Sequence, residues 1–255
     1  MIDSMKASSF SEIRALLLQV RNTPDIELQE QECFLERTGL SPDQLRSINV
    51  ARAPLPQNVL DGYHVLFIGG AGEYSAVNDY DWMPGVLELV RTAEQLSFPV
   101  FGSCWGHQVI ARALGGVVIN DLSQAELGCL PVILTEAGRA DSLFAPFPDR
   151  FDANMGHHDR VLELPPNAVE LAEGRTQPNE AFRIVDKPIY GTQFHSELDA
   201  AREKERLIRY RPFYMEEMPD EEQFNRIVDS LQDTTEVDDL MSHFLEIFVV
   251  SDERN

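Results

Sequence analysis

The chain has 255 residues, with 43 acids against 21 bases, a formal charge of −22 and 43% apolar residues. The apolar share excludes wholesale disorder, and the length allows one large or two small domains with a sizeable core. The charge argues against nucleic acid and anionic membrane surfaces as partners, and the sequence holds no 18-residue apolar run or signal-peptide core.

In chain order, residues 15–20 form a short apolar run ended by Asn22-Thr23-Pro24, which reads as a buried strand. Residues 25–38 suit a helix with Gly39 as its stop, and 45–50 a second strand before Pro54 and Pro56. Residues 63–68 are a third strand, ending at Gly69-Gly70-Ala71-Gly72. A helix is predicted from about Met83 to Leu96, with Pro84 acceptable in its first turn. A fourth strand at 99–101 leads into a helix from Trp105 to Leu114, closed by Gly115-Gly116. Strands that alternate with helices and lack polar alternation indicate a parallel sheet covered on both faces.

The region 117–197 is richer in strands, at 130–134, 160–164, 181–185 and 189–194, and reads as an antiparallel insertion in the same α/β domain. Beyond it, 221–231 and 237–250 look like two helices. The last 40 residues hold thirteen acids and two bases, so they carry half the net charge. A solvated acidic helix pair packed on the main domain is favoured over a partner-docking device. Cys33, Cys104 and Cys129 show no paired spacing, which suits a reducing, cytoplasmic setting. Without CxxC or a His-rich tract, neither a metal nor a cofactor is expected.

Gly102-Ser103-Cys104-Trp105-Gly106 stands between a predicted strand and a predicted helix, the pattern of a nucleophile elbow with cysteine at its centre. Such a turn strains the central residue and aims it at the helix N-terminus, where a thiolate is stabilised and the N–H of Trp105 can meet an oxyanion. A buried cysteine in a Gly-rich turn is the alternative, and the pentapeptide alone does not decide. His195 and Glu197 stand two apart at the end of an apolar strand, so they share a face and the carboxylate can orient the ring. Cysteine, histidine base and orienting acid make a nucleophilic triad.

The blocks Gly102-Ser-Cys-Trp-Gly-His-Gln108 with Ala111-Arg-Ala-Leu-Gly-Gly116, and Gly191-Thr-Gln-Phe-His-Ser-Glu197, resemble the class I glutamine amidotransferases. Phe67-Ile-Gly-Gly70 is similar to their oxyanion strand-loop, and Met155-Gly-His-His-Asp159 to the loop flanking bound glutamine. The four blocks keep the family order over about residues 15–198, and the chain looks similar to the glutaminase domain of GMP synthase. The resemblance implies a flavodoxin-like three-layer α/β fold with a mostly parallel sheet, an antiparallel insertion and a C-terminal helical extension. It implies a catalytic domain over 1–200, with 201–255 as an acidic extension packed on it.

By the same resemblance Cys104 is the nucleophile, His195 the base and then acid, and Glu197 its orienter. Gly70 and Trp105 supply the oxyanion N–H groups, and Gln108 contacts the substrate's amino-acid end. His107, His157 and His158 are expected to serve packing or loop hydrogen bonds, and Cys33 and Cys129 to be small core residues. Two departures stand out: Ser196 replaces the usual proline between His and Glu, and Ala71 replaces the proline after Gly-Gly, which bears on whether the hole is preformed.

The order nucleophile, His, acid excludes an α/β-hydrolase, in which the acid precedes the His. About 58 acidic, helix-prone residues follow the triad and no GxxxxGK[ST] loop occurs, so ATP-dependent amination by this chain alone is not expected. Three functions remain: a glutamine amidotransferase domain passing ammonia to a synthase partner, a stand-alone γ-glutamyl peptidase or hydrolase, and a non-catalytic binding protein. The intact triad ranks the third last.

Overall fold

The computed structural model describes residues 6–214 and 220–251. In chain order these form β1 (Ala15–Gln19), α1 (Pro24–Thr38), β2 (Leu45–Asn49), β3 (Val65–Ile68), α2 (Met83–Leu96), β4 (Val100–Ser103) and α3 (Trp105–Ala113). Next come β5 (Val117–Asn120), β6 (Glu126–Leu134), the short α4 (Glu136–Ala140), β7 (Arg150–His157), β8 (Asp159–Glu163), β9 (Ala168–Gly174), β10 (Ala181–Ile184) and β11 (Ile189–Thr192). Three helices follow: α5 (Ala200–Tyr214), α6 (Glu221–Ser230) and α7 (Leu240–Phe248).

The apolar strands are buried on both faces because each face meets its own helical layer. Leu17, Phe67 and Phe101 point to the side where α1 and α7 pack, together with Phe34, Phe244 and Leu245. Leu16, Leu18, Leu66 and Ile68 point to the other, against Val86 and Val90 of α2 and Val109 and Ile110 of α3. The nine-stranded sheet runs β2-β1-β3-β4-β11-β10-β9-β6-β7. Its first five strands pair in parallel, and β10, β9, β6 and β7 continue it antiparallel. The strand-rich region therefore extends the same sheet, and a separate antiparallel pair, β5 with β8, packs against α3.

Five elements between 117 and 214 have no counterpart among the predicted ones: β5, α4, β7, β9 and α5. Strand β7 reads Arg-Phe-Asp-Ala-Asn-Met-Gly-His, in which Phe151, Ala153 and Met155 alternate with polar or small residues and are buried, and eight register pairs join it to β6. In the tail, α6 buries only Phe224 and Val228, against Leu207 and Tyr210 of α5. Helix α7 is different. The Phe244 ring lies 5.5 Å from Phe101, 5.8 Å from Tyr190 and 5.2 Å from Phe248, and Val250 bridges to Ala7. It is part of the central sandwich. Among the described residues no helix is long and apolar enough to cross a membrane.

Candidate active site

In an open parallel sheet, ligands bind beyond the carboxyl ends of the strands. Here the register aligns Ile68 of β3 with Gly102 of β4, and Ser103 with Thr192 of β11. The residues that follow, Gly69-Gly70, Cys104 and Gln193, emerge side by side.

Cys104 has φ 50° and ψ −102°, a conformation that costs a non-glycine residue on the order of 1–3 kcal/mol. Its N–H donates to the Thr192 carbonyl at 2.8 Å. The turn is tight enough to demand glycine around it. A Cβ on Gly106 would sit 2.2 Å from the Ile68 carbonyl oxygen, and one on Gly102 would sit 2.6 Å from the Gly106 carbonyl carbon. Trp105 is the first residue of α3, where an N–H has no acceptor within the helix.

Strand β11 stops at Thr192, so His195 and Glu197 lie past the strand rather than on it. The i, i+2 argument thus does not hold them together; tertiary contacts do. The His195 N–H donates to the Asn154 carbonyl at 3.1 Å, bridging to β7. His195 Nδ1 lies 2.7 Å from Glu197 Oε1, and Glu197 Oε2 accepts the Ser103 hydroxyl at 2.7 Å. Arg206 of α5 stands 3.9 Å from the same carboxylate. A Cβ built on Gly70 would be 3.2 Å from His195 Cε1 and 3.8 Å from Cys104 Cβ, so the Gly69-Gly70 turn, the imidazole and the cysteine meet at one point.

The electrostatics follow from burial and pairing. Burial opposes the His195 imidazolium, but the charges of Glu197, Cys104 and Glu203 outweigh it and hold its pKa well above the ordinary 6.5. Burial likewise opposes the Glu197 carboxylate, yet His195, Arg206 and the Ser103 hydrogen bond bring its pKa down to about 2. The pair is an ionised one.

Gly70 is at the site, but its N–H donates to Glu30 Oε1 at 3.2 Å. Glu30 is fully buried, takes the Arg21 guanidinium at 2.5 Å and accepts from Gln19 at 2.8 Å. In this arrangement the Gly70 N–H is already engaged. A cavity of about 200 Å³ opens over Cys104, walled by the loop 71–75, by Trp105, Gln108 and Asn120, and by residues 156–159. Gln108 Nε2 donates to the Asp159 carbonyl at 2.6 Å and to Gln193 Oε1 at 3.1 Å, so its side chain is pinned on the cavity wall. The Asp159 carboxylate is held in turn by Ser75, the Ala76 N–H and Asn120.

Ser103, Arg206, Glu203, Gln193 and the Arg21–Glu30 pair are contacts that sequence reasoning does not single out. Ser103 adjoins Cys104, and a last strand residue next to that turn is the available signal. Gln193 lies within the Gly191–Glu197 block, while the Arg21–Glu30 pair and the α5 residues Glu203 and Arg206 come from other elements. His107 is buried, with its ring 4.7 Å from Phe182 and its pKa pushed down to about 3 by burial, so it packs. Cys33 is buried, but Cys129 is half-exposed on β6 beside Gln232 and is not a core residue.

The family model for glutamine amidotransferase class-I matches residues 43–212. Over 122 residues, 48% of this chain, the sequence is 34% identical to a glutamine-hydrolyzing GMP synthase subunit from Pyrococcus abyssi, and spans 63% of that protein's length. It is 31% identical over 177 residues to gamma-glutamyl peptidase 4 of Arabidopsis thaliana, covering 64% of this chain and 68% of the relative. The fold is similar to the crystal structure of a glutamine amidotransferase from Thermotoga maritima, with TM-score 0.72 and 21% identity over 94% of this chain and 99% of that one.

Proposed function

The chain belongs to the class-I glutamine amidotransferase family, and from that premise we propose that it cleaves the γ-carboxamide of glutamine through a Cys104 thioester. The observation that carries this reading is the strained Cys104 turn set against a histidine that Glu197 holds in an ion pair. The Cys104 proton rests on His195 as the imidazolium of that ion pair, and the Cys104 thiolate attacks the carboxamide carbon. The Trp105 N–H receives the developing oxyanion. The Gly70 N–H joins it once exchanged from Glu30, since a second donor in such a hole contributes about 10²–10³-fold. As the tetrahedral adduct collapses, His195 gives its proton to the departing nitrogen and ammonia leaves. Water, deprotonated by His195, then attacks the thioester, releasing glutamate and restoring the Cys104 thiolate beside the His195 imidazolium. Gln108 positions the amino-acid end from the cavity wall. The ammonia would pass to a synthase partner, in keeping with the similarity to one component of a GMP synthase.

A second reading keeps the chemistry and changes the leaving group: a γ-glutamyl peptidase or hydrolase that releases an amine. Its support is the Arabidopsis peptidase, whose likeness covers 64% of this chain against 48% for the Pyrococcus protein. A glutamine-analogue electrophile followed by peptide mass spectrometry should label Cys104 and no other residue; labelling elsewhere, or none, sinks both readings. Turnover of glutamine against γ-glutamyl peptides separates them. Cleavage of the peptides with neglect of glutamine would overturn the first.

A further inference from the structure

We propose that Glu126, His157 and Glu180 form a binding site for one divalent transition-metal cation of the zinc type, behind the cavity wall. The three residues come from β6, from β7 and from the position just before β10, and each is more than nine-tenths buried. One ligand atom from each lies within 4.8 Å of the others.

The hydrogen bonds around them prepare these atoms for a cation. His157 Nδ1 faces the Asp159 carbonyl at 3.1 Å, and since a carbonyl only accepts, Nδ1 carries the proton and Nε2 presents its lone pair. That lone pair meets Glu126 Oε2, another acceptor, at 3.5 Å. Two tetrahedral ligands each about 2.1 Å from a shared ion lie about 3.4 Å apart, so the spacing is that of a coordination edge. The other Glu126 oxygen accepts the Thr176 hydroxyl at 2.7 Å, which fixes the carboxylate and leaves Oε2 for the ion.

Independent of these three, Gln177 is also buried and lies beside Glu126, and neither of its amide atoms reaches hydrogen-bonding geometry with a partner. Both Glu180 carboxylate oxygens are in the same position. Two buried carboxylates turned on one another are costly, and a dication with a neutral imidazole brings the cluster to zero net charge. The Gln177 carbonyl supplies a neutral fourth donor. A nitrogen among oxygens favours zinc and its neighbours over magnesium or calcium.

The site is separate from the triad but adjoins it. His157 forms part of the cavity wall, which gives the ion a way in. The Glu180 carbonyl accepts the Gln193 N–H at 2.7 Å, and the Gln193 amide lies 3.7 Å from Cys104 Sγ. A bound ion would tie β6, β7 and the 177–180 segment together and stiffen the wall at 156–159. It takes no part in the thioester chemistry, so the proposal stands whichever γ-glutamyl substrate is right.

The test uses the full chain carrying Cys104→Ser, so that the reactive thiol does not bind metal. After chelator treatment, zinc is added, excess is removed by gel filtration, and retained metal and Tm are measured. One equivalent retained and a Tm raised by several degrees are expected. Glu180→Gln on that background should lower zinc affinity at least tenfold. Cobalt titration of the parent provides a readout that does not depend on the variant folding: visible bands of a nitrogen and oxygen site, lost on adding one equivalent of zinc. No retained metal and no such bands would overturn the proposal. So would a thiolate charge-transfer band, or retention by Glu180→Gln equal to the parent.

Discussion

Glu197 joins three parts of the site, through His195, Ser103 and Arg206. Its carboxylate is what keeps the His195 imidazolium stable in a buried place. Glu197→Gln should therefore lower turnover by about 10²–10⁴-fold and move the alkaline limb of the kcat/KM profile to lower pH. A variant with an unmoved limb would show that the limb does not report His195. The same pair fixes a stability trend. The Glu197 pKa is depressed from 4.5 to about 2, so its contribution is complete above 4.5 and is lost as pH falls toward 2. Denaturant titrations across that window should show a steeper loss for the wild type than for Glu197→Gln. The Arg21–Glu30 pair is a second buried dependency: Glu30→Gln leaves an uncompensated guanidinium and should cost about 3–5 kcal/mol in urea unfolding. Cys33, whose thiol burial pushes up to about 12, should stay unalkylated in the native protein.

At the scale of elements, the β4–α3 elbow rests on close backbone approach. Gly106→Ala places a methyl 2.2 Å from the Ile68 carbonyl oxygen, which strand β3 cannot vacate without breaking its pairing. A loss of roughly 2–4 kcal/mol is expected by thermal or urea unfolding, with Cys104 labelling reduced. An Ala variant as stable as the parent would show that the turn has slack. The elements legible in the sequence share one property: their apolar runs are bounded by glycine or proline, as at 15–20, 63–68 and 99–106. Of the strands not predicted, β9 mixes charge, glycine and apolar residues and is held between β6 and β10, whereas β7 carries a short alternation at Phe151, Ala153 and Met155 that the longer apolar runs outweigh. Helix α5 is hidden because its charged surface masks the few inward residues, among them Arg206 and Leu207, that reach the site.

For the whole molecule, the charge of −22 and the buried tail pull in different directions. The acids of the last 40 residues suggest a solvated appendage, yet Leu240, Met241, Phe244 and Leu245 lie wholly inside the core beside α1. Phe244→Ala should cost about 3–5 kcal/mol. The expectation of a catalytic unit over 1–200 is tested by ending the chain after Leu231, which removes α7. Loss of the cooperative unfolding transition is expected, and an intact transition with active-site labelling would mean that the first part folds alone. Self-repulsion at this charge should also make Tm rise with added sodium chloride, because screening weakens repulsion between exposed acids over about 10 Å at 0.1 M.

The sequence by itself determined the family, the parallel α/β half and the candidate triad, because the elbow, the apolar strands and the His-x-Glu block are local patterns of few residues. It did not determine what surrounds them. The engagement of Gly70 by Glu30, the Ser103 and Arg206 contacts to Glu197, and the cluster of Glu126, His157 and Glu180 join residues that are mostly tens of positions apart, with no shared spacing. Only the tertiary structure decided those. A buried polar contact is set by which strand ends and helix faces the packing brings together, and pair distance in space leaves no period in the chain.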